Sequence, residues 1–231
     1  MKIVSVIPAR GGSKSIVNKN LQLIDGIPLV ARSIVASKAV KEIIETYVSS
    51  DSDEILEVSK SYGATTINRP EIISNDESST EDVLLHFIEA LSKKDINFDI
   101  LVYLQCTSPF TTAIDVKLVL DTLLKNEQVD CVFSATEDHS FLWKINDRNL
   151  GEGINHQSNK QRSRRQDLSP TYRENGAVYA VRVPALLETK NRFGNKALPV
   201  VAGGCLPFDI DNLFELQMAR TLSPLFSNTT K

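Results

Sequence analysis

The sequence predicts an α/β fold, a three-layer sandwich in which a mostly parallel sheet is covered by helices on both faces. Three observations lead there. Short apolar runs of strand length alternate with amphipathic stretches of helix length, the β-α-β-α rhythm of parallel-sheet proteins. The first of these runs has the character of a strand buried on both faces. The chain of 231 residues, 42% hydrophobic and 24% charged, is also long enough to bury roughly 70–75% of its unfolded surface without a disulfide or metal staple.

Ile3-Val4-Ser5-Val6-Ile7 reads as the buried first strand, ending at Pro8. Residues 29–39 read as a helix, Tyr47-Val48-Ser49-Ser50 as a strand, and residues 52–61 as a helix entered through an acidic cap at Asp51. Thr65-Thr66-Ile67 supplies a third strand. Ser79-Thr80-Glu81-Asp82 has the form of a capping box opening a helix to Leu91, with Val83, Phe87, Ala90 and Leu91 on its apolar face. Residues 100–104 form a strand, 115–125 a helix and 131–135 another strand. The rhythm then breaks. From Glu137 to Arg173 the chain is polar and without a period, the mark of a functional, disordered or protruding segment. Strand material resumes at Ala177-Val178-Tyr179-Ala180-Val181, just after Asn175-Gly176, which reads as a tight turn or a substrate contact. A helix near 184–189 and strands at 198–201 and 206–210 follow. A last helix spans 212–222, with Leu213, Leu216, Ala219 and Leu222 inward, and the tail 227–231 frays.

Twenty-six Lys and Arg against 29 Asp and Glu leave a net charge of −3, which excludes a globally basic nucleic-acid binder. The longest uncharged run, residues 100–114, holds Gln105, Thr107, Ser108 and Pro109 and is too short and polar to span a bilayer. Only a brief apolar stretch precedes Arg10, so no secretory leader is expected. Cys106, Cys131 and Cys205 are far apart with no C-x-x-C pair, which fits a reducing cytoplasm. His86, His139 and His156 are equally scattered, so no zinc site is expected.

The most informative segment follows the first strand: Ala9-Arg10-Gly11-Gly12-Ser13-Lys14-Ser15-Ile16-Val17-Asn18-Lys19-Asn20. In an open parallel sheet, ligands bind beyond the carboxyl ends of the strands. Gly11-Gly12 lets the backbone turn tightly and aim N–H groups at an anion. Arg10, Lys14 and Lys19 add positive charge that no acid offsets before Asp25, which suits a polyphosphate. The order is not that of a Walker A loop. A solvated Gly-rich turn is the plainer alternative. Near the other end, Asp209-Ile210-Asp211 places two carboxylates on one face of a strand, adequate for Mg²⁺ completed by phosphate oxygens and water. A helix cap at Asp211 and a surface acid at Asp209 explain the same residues equally well. Lys160, Arg162, Arg164, Arg165 and Arg173 form a basic run without interleaved aromatics, which favours a small anionic ligand over nucleic acid, a solvated face being the default for each. Gln105 ends a strand before Cys106-Thr107-Ser108-Pro109, a polar turn or a reader of base and sugar. Arg69-Pro70 is similarly open. Cys106 has the character of a buried small apolar residue rather than a nucleophile.

Taken together, the motif from Ile7-Pro8-Ala9-Arg10-Gly11-Gly12-Ser13-Lys14 through Asn18-Lys19-Asn20, followed by Gln105, Thr107-Ser108-Pro109, Arg165-Gln166, Asn175-Gly176-Ala177-Val178-Tyr179 and Asp209-Ile210-Asp211, resembles the CMP-N-acylneuraminate (CMP-sialic acid) cytidylyltransferase family over nearly the whole chain. One departure stands out: family members often carry Gly and then Pro between the two lysines, where this chain has Ser15 and Val17. The resemblance implies a Rossmann-like sandwich of nucleotidyltransferase type. It implies one cytidylyltransferase domain over residues 1–231, with 137–173 a protruding dimerisation arm that reaches into the partner's active site. Arg10, Gly11, Lys14 and Lys19 would hold the CTP phosphates, with Asn20 near the ribose and triphosphate. Arg69 and the Ser79-Thr80 turn would lie around cytosine. Gln105 and Ser108 would contact the acceptor sugar, Asn175, Tyr179 and Phe193 would line its pocket, and Arg165 and Lys144 would grip its carboxylate across the dimer interface. Asp209 and Asp211 would hold Mg²⁺, with Mn²⁺ the alternative ion. Arg10, Lys14, Lys19 and Asp211 would carry catalysis.

The implied reaction joins CTP to a nine-carbon 2-keto sugar acid in the cytoplasm and releases pyrophosphate. It needs cations on the triphosphate and in-line alignment rather than a side-chain nucleophile. Sister enzymes for legionaminic, pseudaminic or 3-deoxy-octulosonic acid are the nearest rivals. A metal-dependent glycosyltransferase is a more distant one, since the Arg10–Lys19 loop suits a free triphosphate better than a sugar nucleotide. A non-catalytic nucleotide-binding regulatory module is the remaining class.

Overall fold

The computed structural model describes residues 1–75, 77–157, 159–161, 164, 169–203 and 208–226. Its central sheet comprises β1 (Ile3–Pro8), β4 (Glu45–Ser50), β5 (Thr65–Asn68), β6 (Ile100–Leu104), β7 (Cys131–Asp138), β10 (Thr171–Arg182) and β11 (Ala197–Val201), in the order β11-β7-β10-β6-β1-β4-β5. Two small hairpins stand apart, β2 (Leu23–Ile24) with β3 (Ile27–Pro28), and β8 (Trp143–Ile145) with β9 (Gly151–Gly153). The helices are α1 (Leu29–Lys38), α2 (Asp53–Ser61), α3 (Thr80–Ser92), α4 (Ala113–Lys125), α5 (Val183–Thr189) and α6 (Leu213–Phe226).

Both faces of the sheet are covered, and the strand sequences explain how. Successive residues of a strand point to opposite faces. Thus Ile3 and Ile7 of β1, with Ile100, Val102 and Leu104 of β6, pack under α1, α4 and α6, while Val4, Val6, Leu101 and Tyr103 pack under α3 and α5. Ser5 belongs to the first face. Its hydroxyl meets Ser37 Oγ at 2.6 Å, and Ser37 Oγ meets Thr46 Oγ1 at 2.9 Å, so these buried hydroxyls satisfy one another.

β1 pairs in parallel with both β4 and β6, and β4 with β5. The chain leaves β1 toward β4 and β5 on one side and returns to β6 on the other. The carboxyl end of β1 therefore lies at a topological switch point, where open α/β sheets bind ligands.

The mostly parallel sheet holds with one exception that periodicity alone cannot reveal. β10 is antiparallel to both β6 and β7. Asn175-Gly176 is not a turn before it but an irregularity within it: the register shifts between Glu174 and Tyr179, and Gly176 has φ +77°. The expected break at 137–173 is narrower than anticipated, because β7 runs on to Asp138 and β10 starts at Thr171, carrying β8–β9 on an extended ladder. The strand expected at 206–210 is absent over its described part: Phe208, Asp209 and Ile210 are irregular, tied by Ile210 N–H to the Thr107 carbonyl at 3.1 Å. Residues 206 and 207, like the tail 227–231, lie outside the described residues. Leu213, expected inward, is exposed, whereas Leu216 and Ala219 are buried and Leu222 half-buried. Among the described residues, no helix is long and apolar enough to cross a membrane.

Phe87 anchors α3 to the sheet, fully buried and edge-on to Tyr47 with ring centroids 5.2 Å apart. Truncating it leaves a cavity the sheet cannot close. Phe87→Ala is expected to cost about 3–5 kcal/mol in a denaturant titration, whereas a loss below ~1 kcal/mol would show that this face repacks freely.

Candidate functional site

The loop after β1 turns against the carboxyl end of β4. Ala9 N–H donates to the Ser49 carbonyl at 2.9 Å, and Gly11 N–H donates to Asp51 Oδ1 at 3.0 Å. A Cβ at Gly11 would stand 2.9 Å from Ser52 Cβ, so glycine is required there for close approach, while nothing lies within 4 Å of a Cβ at Gly12. The Gly11 N–H is thus already paired rather than aimed at an anion. Asp51 is not a helix cap: Ser52 caps α2 by accepting from Ile55 N–H at 3.4 Å. The Asp51 carboxylate organises the loop, pairing also with Arg69 at 3.7 Å.

Arg69 is buried, with Nε donating to Ser74 Oγ at 3.0 Å. Burial lowers its pKa, Asp51 counteracts that, and the neighbouring Arg10 lowers it further. Two guanidinium groups therefore crowd one side of the loop, an arrangement an anion relieves. Asn20, also buried, donates through Nδ2 to the Arg10 carbonyl at 2.9 Å and fixes the loop's other limb, while its Oδ1 has no partner among the described residues. Lys14 is exposed at the tip.

Lys19 joins this loop to the far end of the sequence. Its Nζ donates to the Ile210 carbonyl at 2.8 Å and lies 3.3 Å from Asp211 Oδ1. Asp211 does not cap α6. Asn212 does, accepting from Glu215 N–H at 3.0 Å while Glu215 Oε2 takes the N–H groups of Asp211 and Asn212 at 2.6 and 3.0 Å. That leaves the Asp211 carboxylate turned to the basic loop. Asp209 is held by Gln105 Nε2 at 2.8 Å and hydrogen-bonds Thr107. Burial raises its pKa, with the Asp211 charge adding to the rise and the Thr107 contact and the Lys19 charge opposing it. The two carboxylates feel each other's charge beside an ammonium. This donor set fits a hard divalent cation completed by phosphate oxygens, which needs only one or two protein carboxylates. Among the described residues, no group of three or more His, Cys, Asp or Glu gathers as a metal cage.

Next to Asp209 opens a pocket of about 420 Å³ whose walls include Gln105, Asn175, Tyr179 and also Arg173, Glu174 and Arg192. Gln105 sits at its centre, accepting from Tyr103 OH at 3.3 Å and donating to Thr107 Oγ1 at 3.0 Å. Tyr103 also hydrogen-bonds Thr80 and stacks on Tyr179 with centroids 5.2 Å apart; burial lifts its phenol to about 12. Phe193 packs edge-on against Tyr179 and Phe133.

Several expected contributors are otherwise engaged. The Asn175 side-chain oxygen Oδ1 accepts from Ser134 Oγ at 2.6 Å and from Ala177 N–H, so it braces the irregularity of β10. Ser79 caps α3 in a reciprocal box with Asp82, which engages both its hydroxyl and its backbone N–H. Ser108 is buried, its hydroxyl unpartnered among the described residues. Lys144 stands on β8, ion-paired with Glu152 at 3.3 Å and outside the pocket walls. Arg162 and Arg165 lie outside the described residues, and Lys160 and Arg164 are exposed. Cys106 is buried and desolvation pushes its thiol pKa up, as befits a packing residue.

A cation-rich loop at the switch point, tied by Lys19 to an acidic segment beside a polar pocket, places the candidate site at the carboxyl end of an open α/β sheet. The chain matches the cytidylyltransferase family model over residues 4–206 and belongs to that family. A pseudaminic acid cytidylyltransferase of Campylobacter jejuni is 32% identical over 226 residues, covering 96% of either chain. An N-acylneuraminate cytidylyltransferase of Escherichia coli is 26% identical over 224 residues, and the chain spans about half, 52%, of that relative's length. The solved structure of a CMP:2-keto-3-deoxy-manno-octonic acid synthetase complexed with CTP shares the fold, with a TM-score of 0.70 at 21% identity over 97% of this chain and 99% of that one.

The two glycines of the loop are separable by stability alone. Gly11→Ala is expected to cost about 1–3 kcal/mol as Ser52 is displaced. Gly12→Ala should stay within about 0.5 kcal/mol of the parent in the same titration, and equal losses would contradict the close approach at Ser52.

Proposed function

We propose that this chain transfers the cytidylyl group of CTP to the anomeric 2-hydroxyl of a nine-carbon 2-keto sugar acid of the N-acylneuraminate type, releasing pyrophosphate. The observation that carries the reading is that Lys19 of the basic loop pairs with Asp211 while Asp209, two residues away, is held by Gln105 in the wall of the pocket. Cationic and acidic groups are thereby gathered beside one cavity, a charge pattern that supports a metal-bound triphosphate there. The names of the two curated relatives support the acceptor class, which takes in neuraminic and pseudaminic acids alike, and legionaminic acid shares the same skeleton.

Arg10, Lys14 and Lys19 bind the phosphates and neutralise charge that would repel an incoming carboxylated sugar. Asn20 meets the ribose, and Arg69 with the Ser79-Thr80 backbone surrounds cytosine. Gln105 orients the acceptor over the α-phosphorus; the acceptor's 2-hydroxyl oxygen forms the new P–O bond as the bond to the pyrophosphate oxygen breaks, and the hydroxyl proton passes to solvent water. Much of the rate comes from this alignment, for which effective-molarity effects reach roughly 7–11 kcal/mol. Asp209 and Asp211 would hold Mg²⁺, which when bound would supply charge neutralisation for the triphosphate. The working assembly is a homodimer in which the arm, Lys144 and Arg165 included, completes the partner's site. Exposed Trp143, Ile145, Leu150 and Ile154 on and around the β8–β9 hairpin support an interface there.

Pyrophosphate release from CTP with a panel of nine-carbon sugar acids tests the reading, and background rates with every acid reject it. Asp211→Ala should lower turnover about 10²–10³-fold with an unchanged far-UV circular dichroism spectrum; near-normal turnover in Mg²⁺ removes the metal role. Arg10→Ala should raise the KM for CTP far more than that for the acceptor. Light scattering should give twice the chain mass, and a monomer at assay concentration eliminates the trans-acting arm.

A further inference from the structure

Arg192 lies in the pocket wall although no sequence motif marks it, and its charge is already spoken for. Nη1 lies 2.8 Å from Glu81 Oε1 on α3, and Nη2 lies 3.6 Å from Glu174 Oε1 on β10. The guanidinium carbon sits 5.0 Å from the ring centroids of both Tyr179 and Phe193. A cation compensated by two carboxylates and packed against two aromatic rings is a brace rather than a free anion receptor.

What it braces is Glu174. On a regular strand, residues five apart point to opposite faces. The irregularity at Asn175-Gly176 brings Glu174 and Tyr179 to the same side, where the Tyr179 hydroxyl donates to Glu174 Oε1. Burial and the Glu174 charge raise the Tyr179 pKa, so this phenol remains a donor. Both contacts fall on Oε1, and the side chain keeps 39% of its surface exposed in the pocket wall. With both fixed contacts on Oε1, Oε2 is the oxygen of this wall residue not engaged in a hydrogen bond or ion pair with a described residue.

We infer that Glu174 is a specificity-determining residue for the acceptor sugar, taking a hydrogen bond from an N–H or O–H substituent through Oε2, with Arg192 as its positioning residue. The inference rests on the acceptor class proposed above. An ionised carboxylate accepts and never donates, so it rewards a substituent that carries a proton and discriminates against one that does not.

The test is a double-mutant cycle between enzyme and substrate. The parent, Glu174→Met, Glu174→Gln and Arg192→Met are assayed by pyrophosphate release with one nine-carbon 2-keto acid and its set of single-position deoxy analogues. One analogue should lose about ten- to a hundred-fold in kcat/KM with the parent, the range of a hydrogen bond to a charged group. The same analogue should lose about twofold or less with Glu174→Met. Glu174→Gln, which keeps an acceptor oxygen, should restore part of the discrimination, and Arg192→Met should weaken it, with the KM for CTP unchanged throughout. If Glu174→Met does not fold, Arg192→Met is judged on the same ratio. Equal penalties in parent and variants at every position overturn the inference while leaving the transferase reading intact. No turnover by the parent with any acid rejects both.

Discussion

Everything at the site depends on one long-range contact. Lys19 leaves the loop after the first strand and reaches the Ile210 carbonyl and the Asp211 carboxylate, nearly two hundred residues later in sequence. With only 14% of its side-chain surface exposed, the ammonium is substantially desolvated and needs both partners to offset that cost. The contact fixes the spacing between the basic loop and the acidic pair. Asp209 is then held from the other side by Gln105, at the end of the strand beside β1. Sheet, loop and late segment are thereby locked into one electrostatic unit.

Much of this was legible in the chain because it is local. Alternating apolar runs specify which segments become strands, and capping chemistry specifies where α3 begins, whereas α4, expected from Asp115, starts two residues earlier behind a Thr112–Asp115 box. The loop motif lies in consecutive residues, and a switch point follows from strand order. What was not legible depends on pairing between distant segments. Ser52 and Asp51 are adjacent and both are good helix caps, so only the presence of Gly11 and Arg69 across the sheet edge decides which one caps α2. Asp211 looked equally like a cap until Asn212 and Glu215 were seen to close the α6 end between themselves. Arg192 follows α5 in a polar stretch and has its partner Glu81 on a helix formed more than a hundred residues earlier. Its adjacency to Phe193, already a pocket candidate, was the one available hint.

The antiparallel strand β10 gives the pocket its character. A parallel strand in that place would present its carboxyl end at the site and little else. Running the other way, β10 crosses the site in mid-strand and, with one irregularity, contributes Arg173, Glu174 and Tyr179 to the same cavity wall. Gly176 permits this. Its φ of +77° is a conformation side chains resist, and a Cβ there would come into van der Waals contact with Gln105 Oε1 at 3.4 Å. The irregular strand and the strand-end glutamine are thus fitted to each other.

The reach of Lys19 also has a meaning for biosynthesis. A chain growing from its amino terminus exposes the cationic loop long before the acidic segment leaves the ribosome, at synthesis rates of roughly 5–20 residues per second. For most of that interval the loop has no counter-charge from Asp209 or Asp211, and the Lys19 ammonium has neither of its eventual partners. The nascent chain can therefore form its sheet around β1 while these charges stay uncompensated, and the long-range ion pair closes only after Ile210 and Asp211 have emerged.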